Sequence, residues 1–310
     1  MYDRQSAIAS FYQKTLKVLE LHELDTLGEI KFSNSALSAA LLGNYEICVH
    51  ELQRELRKIL GASLVPAHIF VAEPYVREVK LPDGKQLSIA IINQQSLEWY
   101  GRDDAIGAFD FIYESQRGVF KDCFTFLDLG GHQLVWSIFY AKTSAAAKVL
   151  AFEPSVLNAI IGLFNCLLNG VIDRVDVVPF AVAARRPESS EIELTKNEGA
   201  KMLVDFMTLP LKTCYLDEHA NLKYDFVKTD IEGYEFELLS DKKYRDLVGE
   251  AKNSHFELHL GHLISRGVEV EDCVSALRDA GFNGKELYSN IEMYDFLKTC
   301  DRKGFYSFLI

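Results

Sequence analysis

From about residue 124, short apolar segments alternate with longer amphipathic ones. Apolar runs predict strands at 124–129, 148–153, 175–182, 224–229 and 252–258. Apolar residues at helical spacing predict helices near 133–145, 155–169, 232–248 and 268–280. Regular alternation of this kind predicts an α/β fold with a doubly wound, mainly parallel sheet that carries helices on both faces.

The preceding part of the chain has a different pattern. Helical spacing predicts amphipathic helices at 6–25 and 36–60, the second ending at Gly61. Alternating residues on both sides of a Pro-Asp-Gly turn predict a β-hairpin with strands at 76–80 and 86–92. The apolar helix faces fit either packing within the molecule or a homodimer surface. We therefore expect a helical and hairpin region at residues 1–105 and a second domain at 106–310.

Two further segments complete the predicted domain. Aromatic and aliphatic residues at 286–288 and 305–310 predict a closing β-hairpin, whose last strand would run antiparallel in the sheet. The polar stretch at 184–212 is typical of a loop, which would lie over a site at the strand ends.

Composition narrows the classes of protein. The chain has 310 residues, 48% of them hydrophobic, and a net charge of −12, which argues against a nucleic-acid partner and against an anionic membrane surface. No apolar stretch reaches about 18 residues, so we expect no membrane span. The six cysteines form no CxxC pair and the amino terminus has no secretory pattern, which together predict a reducing, cytoplasmic location.

The first two strands of the second domain end in residues suited to a nucleotide-like ligand. They are Asp128, Gly130, Gly131 and His132 after the first strand, and Glu153 and Pro154 after the second. In a βαβ unit, paired glycines let backbone amides approach the ligand, and the following acid accepts hydrogen bonds from both ribose hydroxyls. This unit alone does not choose the cofactor, so a nucleotide-sugar or dinucleotide-dependent oxidoreductase stays an alternative, although a full Gly-x-Gly-x-x-Gly is missing.

Charged residues end the last two predicted parallel strands. Lys228 and Asp230 are two residues apart and share one side of a strand, where an ion pair would keep Asp230 ionised and able to accept a proton from a hydroxyl. Glu257 and His259 also share one face. Asp230, Glu257 and His259 together offer oxygen and imidazole ligands that suit Mg²⁺ or Mn²⁺. A structural ion network at the sheet edge is the alternative.

Three stretches together resemble the FkbM family of S-adenosylmethionine-dependent methyltransferases. They contain Asp128-Leu129-Gly130-Gly131-His132, Phe152-Glu153-Pro154 and Lys228-Thr229-Asp230-Ile231-Glu232-Gly233-Tyr234-Glu235. The family has Asp-x-Gly-Ala-Asn-x-Gly, Phe-Glu-Pro and Lys-x-Asp-x-Glu-Gly-x-Glu at these places. The resemblance covers roughly residues 110–260 and implies a Rossmann-like class I methyltransferase fold. It also implies O-methylation of a small molecule or glycan, with a sugar hydroxyl as acceptor.

The resemblance implies roles for individual residues. Cofactor binding falls to Asp128, Gly130, Gly131, His132, Glu153, Pro154 and, near the adenine, Ala181; catalysis falls to Lys228, Asp230, Glu257 and His259. Asn165 and Asn169 resemble a structural asparagine pair.

The first motif departs from the family at two positions. His132 replaces the usual Asn, and Leu134 replaces the last Gly. Leu134 would either crowd the methionine part of the cofactor or turn inward and pack. The first outcome would fit a non-catalytic binding or scaffold protein that keeps the fold with a degenerate cofactor site, which is the main alternative function.

Overall fold

The computed structural model describes residues 3–22, 24, 33–64, 67–81, 84–102, 118–183, 213–216, 223–282 and 305–309. The N-terminal part contains α1 (Arg4–Leu21), α2 (Asn34–Leu42), α3 (Glu46–Leu64), β1 (Phe70–Lys80), β2 (Gln86–Asn93) and α4 (Gln94–Tyr100). Strands β1 and β2 pair antiparallel, which confirms the predicted hairpin. The expected domain boundary at 105, the polar stretch at 184–212 and residues 286–288 lie outside the described residues.

From residue 118 onward, strands and helices alternate as predicted. The elements are β3 (Thr125–Leu129), α5 (Val135–Thr143), β4 (Lys148–Phe152), α6 (Val156–Leu168), β5 (Val175–Val178), β6 (Ala181–Ala183), β7 (Thr213–Tyr215), β8 (Phe226–Thr229), α7 (Glu235–Ser240), α8 (Lys242–Glu250), β9 (Asn253–His259), α9 (Leu260–Ser265), α10 (Val270–Asp279) and β10 (Phe305–Leu309). Six strands form one sheet in the order β10-β9-β8-β3-β4-β5, parallel except for β10.

This sheet order determines where a ligand can bind. The chain leaves β3 for β4 on one side and later returns to β8 on the other side of β3. Parallel α/β sheets bind ligands at such a reversal, outside the carboxyl ends of the strands. The order and the final antiparallel strand confirm the predicted doubly wound, Rossmann-like class I methyltransferase fold.

Three predicted elements are broken in the structure. The helix expected at 36–60 stops at Gly43, whose φ of 82° gives α2 a left-handed C-cap. The helix expected at 232–248 is interrupted at Asp241, whose side chain caps α8 by accepting from the amides of Lys243 (2.8 Å) and Tyr244 (3.4 Å). The strand expected at 175–182 ends before Pro179, which has no amide donor, and β6 pairs with β7 in a separate sheet.

The N-terminal part shares its core with the sheet domain. Helix α6 is apolar on nearly all sides, and its residues from Val156 to Leu167 are buried. One hydrophobic cluster contains Phe11, Leu52 and Ile160 together, and the rings of Phe11 and Phe164 meet edge to face at 5.9 Å. The apolar stripe of α1 therefore packs within the molecule, against α6.

Asn165 of α6 and Asn169 at the C-cap of this helix extend the junction with hydrogen bonds. Asn165 accepts from the amide of Ala90 (2.8 Å) and donates to the carbonyl of Gln133 (3.1 Å). Asn169 binds both the amide (3.0 Å) and the carbonyl (2.7 Å) of Ser88. Their side chains satisfy backbone groups of β2 that a further strand would otherwise pair.

Among the described helices, none combines the length and apolar character that a membrane crossing requires.

Candidate functional site

The turn after β3 is built around two glycines that lie against neighbouring strands. Gly130 has a φ of 85°, and a Cβ on it would lie 1.6 Å from the carbonyl oxygen of Asp230. Only glycine fits there. The amides of Gly130 and Gly131 both donate to the carbonyl of Phe152, at 3.0 and 2.9 Å. The expectation that these amides are free for a ligand is therefore corrected: they join the turn to β4, and the glycines contribute close approach.

Glu153 follows β4 and lies beside this turn. Its two carboxylate oxygens accept from the amides of His132 (2.7 Å) and Ser155 (2.8 Å). Burial raises the pKa of Glu153 to about 8, against the opposing effect of the two amide hydrogen bonds. Pro154 follows as a half-buried residue, and Ser155 caps α6 by accepting from the amide of Asn158 (3.2 Å). The acid predicted to meet a ribose thus lies at the expected strand end.

His132 is held by two aromatic residues of α4. Its Nδ1 lies 2.7 Å from the hydroxyl of Tyr100, and its ring centroid lies 4.5 Å from that of Trp99. Burial lowers the pKa of His132 to about 3, so the ring is neutral at physiological pH. The sequence pattern of residues 94–118 gave no sign that these aromatics would reach the site, because the two residues are 32 positions or more from His132 along the chain.

Of the two arrangements expected for Leu134, crowding the cofactor or packing inward, the structure shows inward packing. It has a φ of 60° and is fully buried in the main hydrophobic cluster. Its side chain fills the space left by two glycines: a Cβ on Gly162 would lie 2.5 Å from Leu134 Cγ, and one on Gly131 would lie 2.8 Å from Leu134 Cδ2. The leucine therefore packs between the turn and α6.

Lys228 connects the ends of β3 and β8. Its ammonium lies 3.0 Å from the carbonyl oxygen of Gly130, 3.1 Å from Asp230 Oδ2 and 3.5 Å from Asp128 Oδ1. Burial lowers the pKa of Lys228, but the carboxylates of Asp230 and Asp128 more than offset this and raise it. The predicted ion pair with Asp230 is present. Because the Lys228 side chain is only 3% exposed, it can hold other groups in place but is shielded from a substrate.

The carboxylates beside Lys228 differ in accessibility. Asp128 is fully buried, accepts from the Ser137 hydroxyl at 2.5 Å, and has its pKa raised by burial. The Asp230 side chain is 23% exposed. Although burial acts to raise its pKa, Lys228 and His259 lower it below its usual value. Asp230 is thus an ionised carboxylate at the carboxyl end of β8 that a substrate can reach.

Next to Asp230, one imidazole lies among four acids. We call Asp230, Glu232, Glu235, Glu257 and His259 the His259 cluster. His259 Nδ1 lies 3.0 Å from Glu235, and Nε2 lies 3.4 Å from Glu232, 3.4 Å from Glu257 and 3.8 Å from Asp230. Burial lowers the pKa of His259, but Glu235 and its neighbours raise it well above the usual value. The shared face predicted for Glu257 and His259 is confirmed by this contact.

The members best placed to hold a metal ion differ from those predicted. Ligand atoms of Asp230, Glu232 and His259 all lie within 4.8 Å of one another, so that Glu232 takes the place expected for Glu257. Glu232 has a φ of 55°, and burial raises its pKa to about 7. Glu235, which the motif contains but which was not assigned to the site, is fully buried and accepts from the amide of Gly233 at 2.9 Å.

Ala181 is not part of the six-stranded sheet. It begins β6, where it pairs with Thr213. Its proposed position near an adenine stays a prediction.

The mainly parallel sheet with an antiparallel last strand matches the architecture expected of a class I methyltransferase. The profile of the Methyltransferase FkbM domain matches residues 116–283, which is more than half of the chain. The chain belongs to the FkbM methyltransferase family. Among curated proteins, no sequence match was found.

Several solved structures are similar to this chain. One is the O-methyltransferase from Bacillus cereus in complex with SAH, with 11% identity, 70% of this chain and 94% of that chain covered, and a TM-score of 0.34. Another is cofactor-bound Rv0187 from MTB, with 15% identity, 69% and 92% covered, and a TM-score of 0.34. A third is precorrin-6y C5,15-methyltransferase from Geobacter metallireducens, with 15% identity, 64% and 86% covered, and a TM-score of 0.33.

Proposed function

We propose that this protein transfers the methyl group of S-adenosylmethionine to the oxygen of a hydroxyl group, with a sugar hydroxyl of a glycan or secondary metabolite as acceptor. The observation that carries the proposal is Asp230, a partly exposed carboxylate that buried Lys228 keeps ionised at the carboxyl end of β8. A carboxylate in this position can accept the proton that the acceptor hydroxyl loses. The sugar class comes from the family resemblance.

We assign cofactor binding to the carboxyl end of β4, which lies on the opposite side of β3 from β8. Each Glu153 oxygen accepts one backbone amide and keeps a second lone pair, so the carboxylate can still accept from two ribose hydroxyls. Because β3 pairs with β4 on one side and β8 on the other, Glu153 and Asp230 follow strands that flank β3, where one ligand would contact both. S-adenosylmethionine, when bound, would supply an activated methyl group on its sulfonium. The residues of the chain orient the donor and acceptor and exclude water.

In this proposal, Asp230 accepts the proton that the acceptor hydroxyl loses during methyl transfer. Asp230 Oδ would take up the hydroxyl proton as the acceptor oxygen takes the methyl group from sulfur, with S-adenosylhomocysteine as the leaving group. Lys228 is a positioning residue in this scheme, because its buried ammonium donates both to Asp230 Oδ2 and to the carbonyl oxygen of Gly130 and thereby holds the carboxylate in place. His259, charged and held by Glu235, offsets part of the negative charge around Asp230. Glu257 in turn holds His259 at its Nε2.

The ligand atoms of Asp230, Glu232 and His259 also suit Mg²⁺ or Mn²⁺, and they are the residues that would hold such an ion. A bound cation would further lower the proton affinity of Asp230 and of the acceptor hydroxyl. Turnover after exhaustive chelation, with and without added Mg²⁺ or Mn²⁺, decides between a cation and the His259 charge alone.

The cofactor site is tested by calorimetric titration with S-adenosylhomocysteine. We expect micromolar binding that Glu153→Ala abolishes and that Glu46→Ala, at an exposed acid of α3, leaves intact. Absence of binding to the unaltered protein would instead favour the scaffold alternative.

The catalytic proposal is tested by Asp230→Asn, which is nearly isosteric and removes the charge. We expect loss of turnover in an acceptor screen among glycosides, with affinity for S-adenosylhomocysteine close to that of the unaltered protein. Asp176→Asn, at a surface carboxylate whose side chain is 77% exposed, is the matched control. Wild-type turnover in Asp230→Asn would rule out the proton-accepting role.

A further inference from the structure

The turn that follows β3 has few backbone donors left for a ligand. The amides of Gly130 and Gly131 donate to the Phe152 carbonyl, that of His132 donates to Glu153, and that of Leu134 donates to the Gly131 carbonyl at 2.7 Å. An anionic group bound at this turn would therefore draw on side-chain donors as well as on the remaining amides.

The His132 side chain has such a donor. The Tyr100 hydroxyl lies 2.7 Å from Nδ1, while Nε2 is buried and has no hydrogen-bond partner among the described residues. A phenol hydroxyl is a better donor than acceptor toward an imidazole nitrogen, which favours the arrangement in which Tyr100 donates to Nδ1. A neutral imidazole that accepts at Nδ1 carries its own proton at Nε2. Leaving that N–H buried and unpaired is costly, which points to a missing acceptor.

The position of His132 indicates which part of a cofactor supplies the acceptor. Its amide holds Glu153, the acid proposed for the ribose. Two residues earlier, Gly130 lies against the backbone of Asp230, the acid proposed for the acceptor hydroxyl. The segment between the ribose and the reacting methyl carries the amino-acid arm of S-adenosylmethionine, and the carboxylate is the strongest acceptor on that arm.

We propose that His132 Nε2–H donates a hydrogen bond to the carboxylate of the amino-acid arm, and that Tyr100 and Trp99 of α4 are positioning residues for the imidazole. This inference rests on the proposed function, since it assumes S-adenosylmethionine as donor. It gives residues 94–100 a place in the cofactor site: Tyr100 sets the tautomer, and Trp99, whose ring centroid lies 4.5 Å from that of His132, restricts the ring.

Two probes separate the arm from the rest of the cofactor. S-adenosylhomocysteine has the amino-acid arm, whereas 5′-methylthioadenosine keeps the adenine, ribose and thioether without it. By calorimetry, we expect His132→Ala to weaken S-adenosylhomocysteine binding by about 10- to 100-fold, the range of one hydrogen bond to a charged group, and to leave methylthioadenosine binding unchanged. Tyr100→Phe should weaken S-adenosylhomocysteine binding less, because the imidazole stays but its tautomer is no longer fixed.

Three further variants make the result specific. His132→Asn offers an amide N–H and should recover part of the lost affinity. His50→Ala and Tyr45→Phe remove an exposed imidazole and a half-buried hydroxyl from α3 and its N-terminal flank, and should bind both probes as the unaltered protein does. Thermal unfolding followed by circular dichroism identifies any variant that fails to fold.

The outcomes are distinguishable. Weakening confined to S-adenosylhomocysteine supports the proposal. Equal weakening of both probes, or of neither, by a folded His132→Ala overturns it while leaving the proposed function in place. If the unaltered protein binds neither probe, the proposed function fails, and the inference that depends on it fails with it.

Discussion

At the scale of single residues, backbone strain is concentrated at the candidate site. Among the described residues, four that are not glycine have a positive φ, and three of them are His132 (47°), Leu134 (60°) and Glu232 (55°). Left-handed backbone costs such residues roughly 1–2 kcal/mol each. The packing around them must hold these conformations, which is typical of positions where geometry serves function.

Leu134→Gly tests whether strain or packing dominates at the first turn. Relief of the left-handed backbone would stabilise the protein by about 1 kcal/mol, but removal of a fully buried side chain costs roughly 2–5 kcal/mol. We expect the free energy of unfolding in urea to fall by about 1–4 kcal/mol. Affinity for S-adenosylhomocysteine should change little, because the side chain packs against Gly162 of α6. A large gain in affinity would mean that Leu134 obstructs the cofactor after all.

The raised pKa of Glu153 predicts that cofactor affinity depends on pH. With a pKa of about 8, raised by burial, the group is largely protonated below pH 8 in the cofactor-free protein. Ribose hydroxyls donate to the ionised form, so binding releases a proton. S-adenosylhomocysteine affinity should therefore rise by up to about tenfold per pH unit below pH 8 and level off above it. Calorimetry in buffers of different ionisation enthalpy checks the proton release, and Glu153→Gln should remove the dependence.

Contacts between site side chains could be predicted from the sequence where strand alternation places two residues on the same face. The Lys228–Asp230 pair and the Glu257–His259 contact both follow from a two-residue spacing. Glu235 could not be predicted in the same way. It reaches His259 only because Glu232 and Gly233, with φ values of 55° and 105°, redirect the chain between β8 and α7. Tyr100 was missed because contacts between distant segments leave no periodic pattern.

At the scale of elements, α6 is the helix that joins the N-terminal part to the sheet domain. It packs against α1 and also against β2, and Ser155 caps it directly after Glu153 and Pro154. Sequence patterns predicted this helix to within one residue at each end, since its apolar run is long and its cap is a serine. The patterns overextended the elements that end at Gly43, Pro179 and Asp241, each a residue with known terminating properties.

Substitutions at Asn165 in α6 and at the C-cap residue Asn169 should show how much more a buried hydrogen bond contributes to stability than a half-buried one. Asn165→Ala leaves the amide of Ala90 and the carbonyl of Gln133 without their partner in a buried setting, and should destabilise the protein by about 2–4 kcal/mol. Asn169→Ala removes two bonds to Ser88 at a half-buried position where water can replace them, and should cost less. Urea unfolding of both variants compares them; a larger loss for Asn169→Ala would contradict this interpretation.

At the scale of the whole molecule, the shared hydrophobic core raises the question whether the domain expected from residue 106 onward can fold without the N-terminal region. Phe11 of α1 and Leu52 of α3 belong to the same cluster as Ile160, so these N-terminal helices share the hydrophobic core of α6. A fragment of residues 106–310 would expose that part of the core. We expect the fragment to lack a cooperative thermal transition and to aggregate on size-exclusion chromatography. A monomeric fragment that unfolds cooperatively and binds S-adenosylhomocysteine would show that the sheet domain is independent.

The contact of α1 with α6 also sets an order of events during synthesis. Helix α1 ends at Leu21, whereas its partner surface is complete only at Leu168, near the middle of the chain. At roughly 5–20 residues per second, a ribosome needs about 7–30 s to make the intervening segment. Throughout that interval Phe11, Val18 and Leu19 have no α6 to cover them. The nascent N-terminal helices are therefore natural clients for chaperones that bind apolar segments at the ribosomal exit.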